Sequence, residues 1–426
     1  MKFPGLILMG AQSKLLPPSI PFRFFVAAVV FHIVAWGMMA LDADQAAQFV
    51  GGPGVILAAI HALTLGVVVM TAIGASFQIL PVVTGRPLAA FWPCRLVFWL
   101  FAPGTAALVF GFAIIDQTVI VTGATFVVAG LTVFALLVAD VLRSTRGMIT
   151  LITHGWAAMA ALLSLAIMGL MLVFDWEYGF LPDHGGMAIA HVVVAVFGFM
   201  GMLVLGYSQF MVPMFAMGPS PNEKEVHAAF GLAAAAIVGA AVSAMAGSTN
   251  GLLVAAAAGF IGAVLHIRTM GAVLRDGMRK ELGLSFVLVK AAWVFLALAI
   301  VFGALAMAEL DDRLIALFGL VALLGWLLTF LMGILQRIIP FLAAMNAAKE
   351  GQTPPTPSAV SSEGPLKIHA LGHFLGLALF AAAIILDEGL LILAGAAAGG
   401  IGAIAFAWFA LDSLRRMRAY GKMTPD

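Results

Sequence analysis

The sequence predicts an all-α polytopic membrane protein of about 12 transmembrane helices, arranged as three pseudo-repeats of four. Three observations carry that expectation: an apolar composition, a succession of spans whose flanking charges alternate in sign, and a short segment that recurs three times. Of 426 residues, 63% are hydrophobic and 10% charged, with a mean hydropathy of +1.12. Soluble domains are roughly a quarter charged. A water-soluble fold of this length has nowhere to hide so much apolar surface, so the lipid bilayer is its expected solvent and first partner. A net charge of +1 gives no case for a nucleic-acid partner. Cys94 is the single cysteine, which excludes an intrachain disulfide and any multi-cysteine metal site. Met1 to Phe22, with Lys2, Lys14, Pro17, Pro18 and Pro21, has no small-residue cleavage site after an apolar core and is not expected to be a cleavable signal.

Crossing the hydrocarbon takes roughly 20 apolar residues. Runs of that kind lie near 22–41, 51–83, 96–115, 118–141, 149–174, 186–217, 227–247, 250–275, 284–308, 313–342, 368–386 and 388–413. Acidic residues part the first span from the second (Asp42, Asp44), the third from the fourth (Asp116), and the fifth from the sixth (Asp175, Glu177, Asp183). They also part the ninth from the tenth (Glu309, Asp311, Asp312) and the eleventh from the twelfth (Asp387, Glu388). Basic residues mark the alternate turns: Arg86 and Arg95, Arg143 and Arg146, Lys224, Arg279 and Lys280, Lys349 and Lys367. With odd spans running outward, every lysine and arginine except Arg313 falls on the inner side, as the positive-inside rule asks. The expected setting is the bacterial inner membrane, with both termini cytoplasmic.

The second, sixth and tenth spans are long, and each carries a proline near its C-terminal end. They read alike there: GASFQILP at 74–81, GYSQFMVP at 206–213 and GILQRIIP at 333–340. Gly74 and Pro81, Gly206 and Pro213, and Gly333 and Pro340 are each seven residues apart, with Gln78, Gln209 or Gln336 between them. A Leu-Arg pair closes the fourth span of each unit, at Arg143, Arg275 and Arg415, and Trp36, Trp156 and Trp293 lie in the first. The units run about 22–147, 148–281 and 282–422, within one membrane domain over 1–426. The polar stretch 349–367 lengthens the last unit and is expected to be a disordered cytoplasmic loop. Physically, the glycine admits a neighbouring helix, the proline bends or ends its own, and the glutamine is placed to bond freed carbonyls.

Twelve spans in three four-helix arcs resemble subunit I of the haem–copper oxidase superfamily, whose second, sixth and tenth helices line the interior. The second span reads HALTLGVVVMTAIGASFQILPVVTGRPL. Its opening and its GASFQILPVV ending resemble divergent members of that superfamily, and its HALT, MT and TGRPL wording is similar to a histidine segment of NnrS-type haem- and copper-containing proteins. The resemblance implies haem or copper, a redox protein partner and a link to nitric-oxide stress. Departures are plain. The seventh span has no histidine beyond His227 and the tenth has none, so the copper ligands and the proximal histidine of an oxidase are missing. Tyr207 is out of register with His191. A complete oxidase or nitric-oxide reductase is not expected, catalytic residues are not assigned, and copper is not expected.

Among nine histidines, depth singles out His61 and His191, which precede Pro81 and Pro213 by 20 and 22 residues. Both lie in the outer third of inward-running spans. One reading makes them the ligands of a haem b, which needs two imidazoles facing each other from different helices. The other has each imidazole bond a neighbouring helix and fix packing. His369 and His373, four apart on one helix face, have the spacing of a metal chelate but are expected to sit at the lipid interface. The functional expectation is a haem-binding membrane protein for electron transfer, haem handling or nitric-oxide response. A small-solute or metal carrier and a non-catalytic assembly partner of a respiratory complex stand beside it.

Overall fold

The computed structural model describes residues 16–86, 88, 90–347 and 354–423. Among them are 12 helices long and apolar enough to cross a membrane, and no strand. They are α1 (Pro21–Leu41), α2 (Val55–Thr84), α3 (Trp92–Ile114), α4 (Gln117–Ser144), α5 (Ile149–Tyr178) and α6 (His184–Ala216). The rest are α7 (Glu223–Met245), α8 (Thr249–Asp276), α9 (Gly283–Met307), α10 (Arg313–Ala347), α11 (Glu363–Leu386) and α12 (Gly389–Met423). The expected spans match these closely. They differ most where charge ends the hydropathy but not the helix. Arg416 bonds Asp412 one turn back at 2.8 Å and α12 runs on to Met423; Lys367 pairs with Glu363 at 3.8 Å in the first turn of α11.

The polar stretch expected to be a disordered loop over 349–367 is shorter and more ordered than that. Residues 348–353 lie outside the described residues. Pro357–Val360 forms a 3-10 turn, and Val360, 2% exposed, anchors it against α10 and α12. One apolar side chain in a polar run suffices to hold the segment down. Of the N-terminal segment, residues 1–15 are likewise outside the described residues.

The three most buried spans are α2, α6 and α10. Each is interrupted by a π-helical stretch: Ala62–Val69, Val194–Gly201 and Leu320–Leu328. All three stretches end 12 residues before the helix's proline, Pro81, Pro213 or Pro340. The π segment of α10 touches those of both α2 and α6, so the widened turns meet in the middle of the bundle. There Trp326 lies flat on Phe197, ring centres 5.4 Å apart, and Gly201 leaves room for its far edge. A π turn adds a residue to the coil and disturbs the regular carbonyl ladder, a feature that gathers at functional sites.

The glycine of each recurring segment faces the first helix of its own group of four. A β-carbon on Gly74 would lie 2.8 Å from Cβ of Phe24 on α1, one on Gly206 2.7 Å from Cβ of His154 on α5, and one on Gly333 2.7 Å from the Ser285 carbonyl on α9. The glutamines behave differently from expectation. Gln78 accepts from the Leu16 N–H at 3.3 Å, and Gln209 donates to Leu205 O at 3.1 Å, one turn before the carbonyl its proline frees. Gln336 keeps a buried amide nitrogen without a partner. None of the three amide nitrogens bonds the carbonyl freed by its own proline.

Arg313, the basic residue on the wrong side of the charge pattern, is neutralised where it stands. It grips Asp311 through several contacts of 2.5–3.1 Å and donates to Ile385 O on α11 at 3.0 Å. That grip draws the Asp311 carboxyl down to about 2. Because the folded value lies below the unfolded one, the pair is fully formed above about pH 4 and is lost as the pH falls through about 2. Amide exchange at residues 311–315 in detergent is therefore flat from pH 7 to 4, after correction for intrinsic rates, and Asp311→Asn raises it at neutral pH. A wild-type-like exchange rate in that variant would remove the pair's role. Gly206→Ala pushes a methyl into His154 and costs about 1–3 kcal/mol. Gly37→Ala, with nothing within 4 Å, is silent, and thermal unfolding of the two purified variants compares them.

Candidate functional site

His61 sits on α2 one residue ahead of the π stretch. Its Nδ1–H donates to Leu57 O at 2.9 Å, one turn back, which fixes the tautomer and leaves the Nε2 lone pair free. Its ring lies tilted against Phe112 of α3, centres 4.7 Å apart. His191 sits on α6, three residues ahead of the second π stretch. Gly169 of α5 makes room for it, since a β-carbon there would stand 3.3 Å from Cε1 of the imidazole. The Nδ1 of His191 is buried and has no partner. Both imidazoles are half-buried, on the interior helices α2 and α6.

A second group was expected at the lipid interface and is not there. His369 and His373 on α11 are 0% and 1% exposed, and His32 on α1 is 1% exposed. His369 is the hinge of the group, 5.9 Å between ring centres from His32 and 5.8 Å from His373. Small residues draw the helices together here. Gly399 of α12 lies against the indole of Trp36, and Gly372 of α11 against the Ala398 carbonyl of α12. Hydropathy placed these histidines near a helix end. The close packing of α1, α11 and α12 encloses them instead. Their four-residue spacing was legible; their partner on α1 was not, although His32 and Trp36 share the same spacing and bond each other at 3.1 Å.

His154 on α5 and His266 on α8 are also buried. His154 donates to Thr150 O at 2.7 Å, and Gln209 lies 3.5 Å from Nδ1 of His266. His227 is exposed at the end of α7. Near the opposite end of the bundle, Asp175 accepts from the Leu181 N–H at 2.6 Å and from His184 at 2.7 Å, with Trp176 stacked on the imidazole. That carboxylate orders the turn between α5 and α6. Tyr207 bonds Ser76 at 2.6 Å, tying α6 to α2. Among the described residues, no three His, Cys, Asp or Glu side chains gather closely enough to hold one metal ion together.

A sequence profile described as NnrS protein matches residues 153–419, well over half of the chain. The chain belongs to the NnrS family. That family is associated with haem and metal binding. No curated protein sequence matches the chain. The NnrS match takes in nearly all of α5 and the helices through α12, with His191, His369 and His373, and leaves α1 and α2 outside. The wording of the second span that resembles NnrS proteins is therefore not the part that matches the family. The resemblance to haem–copper oxidase subunit I finds no support in these comparisons.

Proposed function

We propose that this NnrS-family membrane protein binds haem b between α2 and α6 through His61 and His191, and serves electron transfer, haem handling or the response to nitric oxide. The observation that carries the reading is the pairing itself. Two half-buried imidazoles stand just ahead of the π stretches of two interior helices, one with a fixed tautomer and a free Nε2, the other with a buried nitrogen that lacks a partner. A haem held by two histidines takes axial imidazoles from separate helices; His61 has its second ring nitrogen bonded, to Leu57 O, and the buried Nδ1 of His191 is unpaired. Haem b held there would supply a one-electron centre with affinity for small diatomic ligands.

The chain's own groups do the positioning. Leu57 O holds the His61 ring in one orientation, Phe112 walls it on the α3 side, and Gly169 leaves space for His191 against α5. Both residues are partly exposed, whereas His32, His154, His266, His369 and His373 are buried. The charge asymmetry puts this end of the bundle on the non-cytoplasmic side of a bacterial inner membrane, where a redox protein partner would meet it. The recurring Gly-x6-Pro segments and their π stretches support a division into three four-helix units around the interior helices.

Reduced-minus-oxidised and pyridine haemochrome spectra of the detergent-purified protein test the reading. Wild type from haem-replete cells carries about one haem b per chain, if each chain holds a single bis-imidazole site. His61→Ala and His191→Ala each lose most of its Soret band. A colourless wild type, or an unchanged spectrum in both variants, overturns it.

A further inference from the structure

The short link between α8 and α9 gathers positive charge that nothing around it neutralises. Its backbone is fixed on the C-terminal end of α6, where the Met278 N–H donates to Met217 O at 3.3 Å and the Arg279 N–H to Ala216 O at 3.1 Å. Two guanidinium groups then take successive carbonyls of this link. Nε of Arg279 donates to Glu281 O at 3.3 Å, and Nη2 of Arg337, reaching over from α10, donates to Leu282 O. Arg337 is half-buried, and its Nε donates to Ser285 Oγ at 2.7 Å in the first turn of α9. The neighbouring cations are spoken for: Arg275 has Asp276 at 3.2 Å, and Lys280 closes the end of α8 by donating to Arg275 O at 2.7 Å. Among the described residues, no carboxylate lies within ion-pair distance of Arg279 or Arg337, that of Glu281 included. Like charges held on adjacent carbonyls repel, and an anion between them turns the repulsion into attraction.

A third cation stands on the adjoining face of α9. Val287, Lys290, Val294, Leu298 and Val301 recur every three or four residues and are all exposed, so they form one strip of the helix. Ser285, Leu288, Val289, Ala292 and Trp293, on the other side, are buried. Gly283 is exposed and opens the strip, and a β-carbon on it would lie 3.8 Å from Nη2 of Arg337. The guanidinium pair therefore stands at the foot of the strip that carries Lys290. Lys290 lies about 10 Å along the helix from Gly283. An ammonium on a lipid-facing strip at that depth is tolerated by turning its stem back toward the headgroups. We propose that Arg279, Arg337 and Lys290 hold the phosphodiester of an anionic phospholipid, whose acyl chain lies along the strip of α9. Guanidinium forks match phosphate oxygens, and the ammonium adds a point charge. The apolar strip selects a lipid over free phosphate, because the chain has a surface to lie on beside its headgroup. The charge selects the lipid class: a zwitterionic headgroup brings an ammonium of its own to three cations, and an anionic one does not. By the charge pattern the leaflet is the inner one, where basic pockets between helices take such headgroups. A lipid seated there ties α6, α9 and α10 together through one link.

The full-length protein, purified in a non-ionic detergent and stripped of co-purifying lipid, is titrated with phosphatidylglycerol, with phosphatidylcholine of the same chains, or with inorganic phosphate. Native mass spectrometry counts bound lipid, and thermal unfolding reads the stabilisation. Wild type is expected to hold about one phosphatidylglycerol per chain, about tenfold more tightly than phosphatidylcholine, and to gain no stability from phosphate at the same concentration. Arg279→Gln and Lys290→Gln each weaken phosphatidylglycerol binding about tenfold and leave phosphatidylcholine as it was. Arg146→Gln, at an exposed cation outside the link, is unchanged. Arg337→Gln also frees Leu282 O and Ser285, so where that variant aggregates Arg279→Gln decides, its hold on α6 being a main-chain bond. Equal retention of the two lipids, wild-type affinity in both Arg279→Gln and Lys290→Gln, or stabilisation by phosphate as large as that by lipid overturns the proposal. None of these outcomes depends on haem.

Discussion

In hydrocarbon there is no water to take up a lone N–H or carbonyl, so every polar group must find its partner within the protein. The consequences run through the whole bundle. Backbone groups are paired inside 12 long helices, and hydroxyls fold back onto their own helix, as Thr64 does to Ile60 O and Ser208 to Val204 O. Histidines do the same: His61, His154 and His227 each donate to the carbonyl one turn back. Against that background the unpaired buried atoms stand out. Four histidine nitrogens are among them, on His32, His191, His369 and His373, and three of these belong to the group where imidazoles of α1 and α11 meet. The other unpaired atoms are scattered over Thr71, Gln78, Thr105, Gln209, Trp293, Gln336, Ser362 and Ser413.

Close approach between helices supplies the second half of the design. Lipid gives helices no hydrophobic reason to associate, so they pack by shape, and glycine is what lets backbones meet. Gly74, Gly206 and Gly333 seat the interior helices against α1, α5 and α9, while Gly372, Gly399 and Gly402 draw α11 and α12 around Trp36 and its neighbours. The π stretches then loosen the ladder of the interior helices at their mid-length. In α10 the Thr329 hydroxyl reaches back to Leu324 O at 2.8 Å and also lies 2.7 Å from Nε2 of His373 on α11, so backbone irregularity and helix packing meet there.

The number and limits of the spans were legible in the sequence because they depend on local hydropathy, averaged over about 20 residues. The special character of α2, α6 and α10 was legible too, from three Gly-x6-Pro segments in phase with the spans. The π stretches were not, since nothing in ALTLGVVV, VAVFGFMG or LVALLGWLL sets a widened helix apart from an ordinary apolar one. The family was named from the second span, yet the matched region starts at residue 153. Short motif wording is a weaker guide than the sum over several helices.

By itself, then, the sequence determined the solvent, the count of helices and the alternation of charge, all of which are properties read along one dimension. Only the tertiary structure decided which histidines meet. His369 and His373 pass from an expected lipid interface to full burial because α1 and α12 close around α11, and His32 joins them from the far end of the chain. Hydropathy cannot show this, since the same local sequence on a membrane helix is compatible with facing lipid, protein or a polar neighbour. The choice among those three is made by the helices packed beside it.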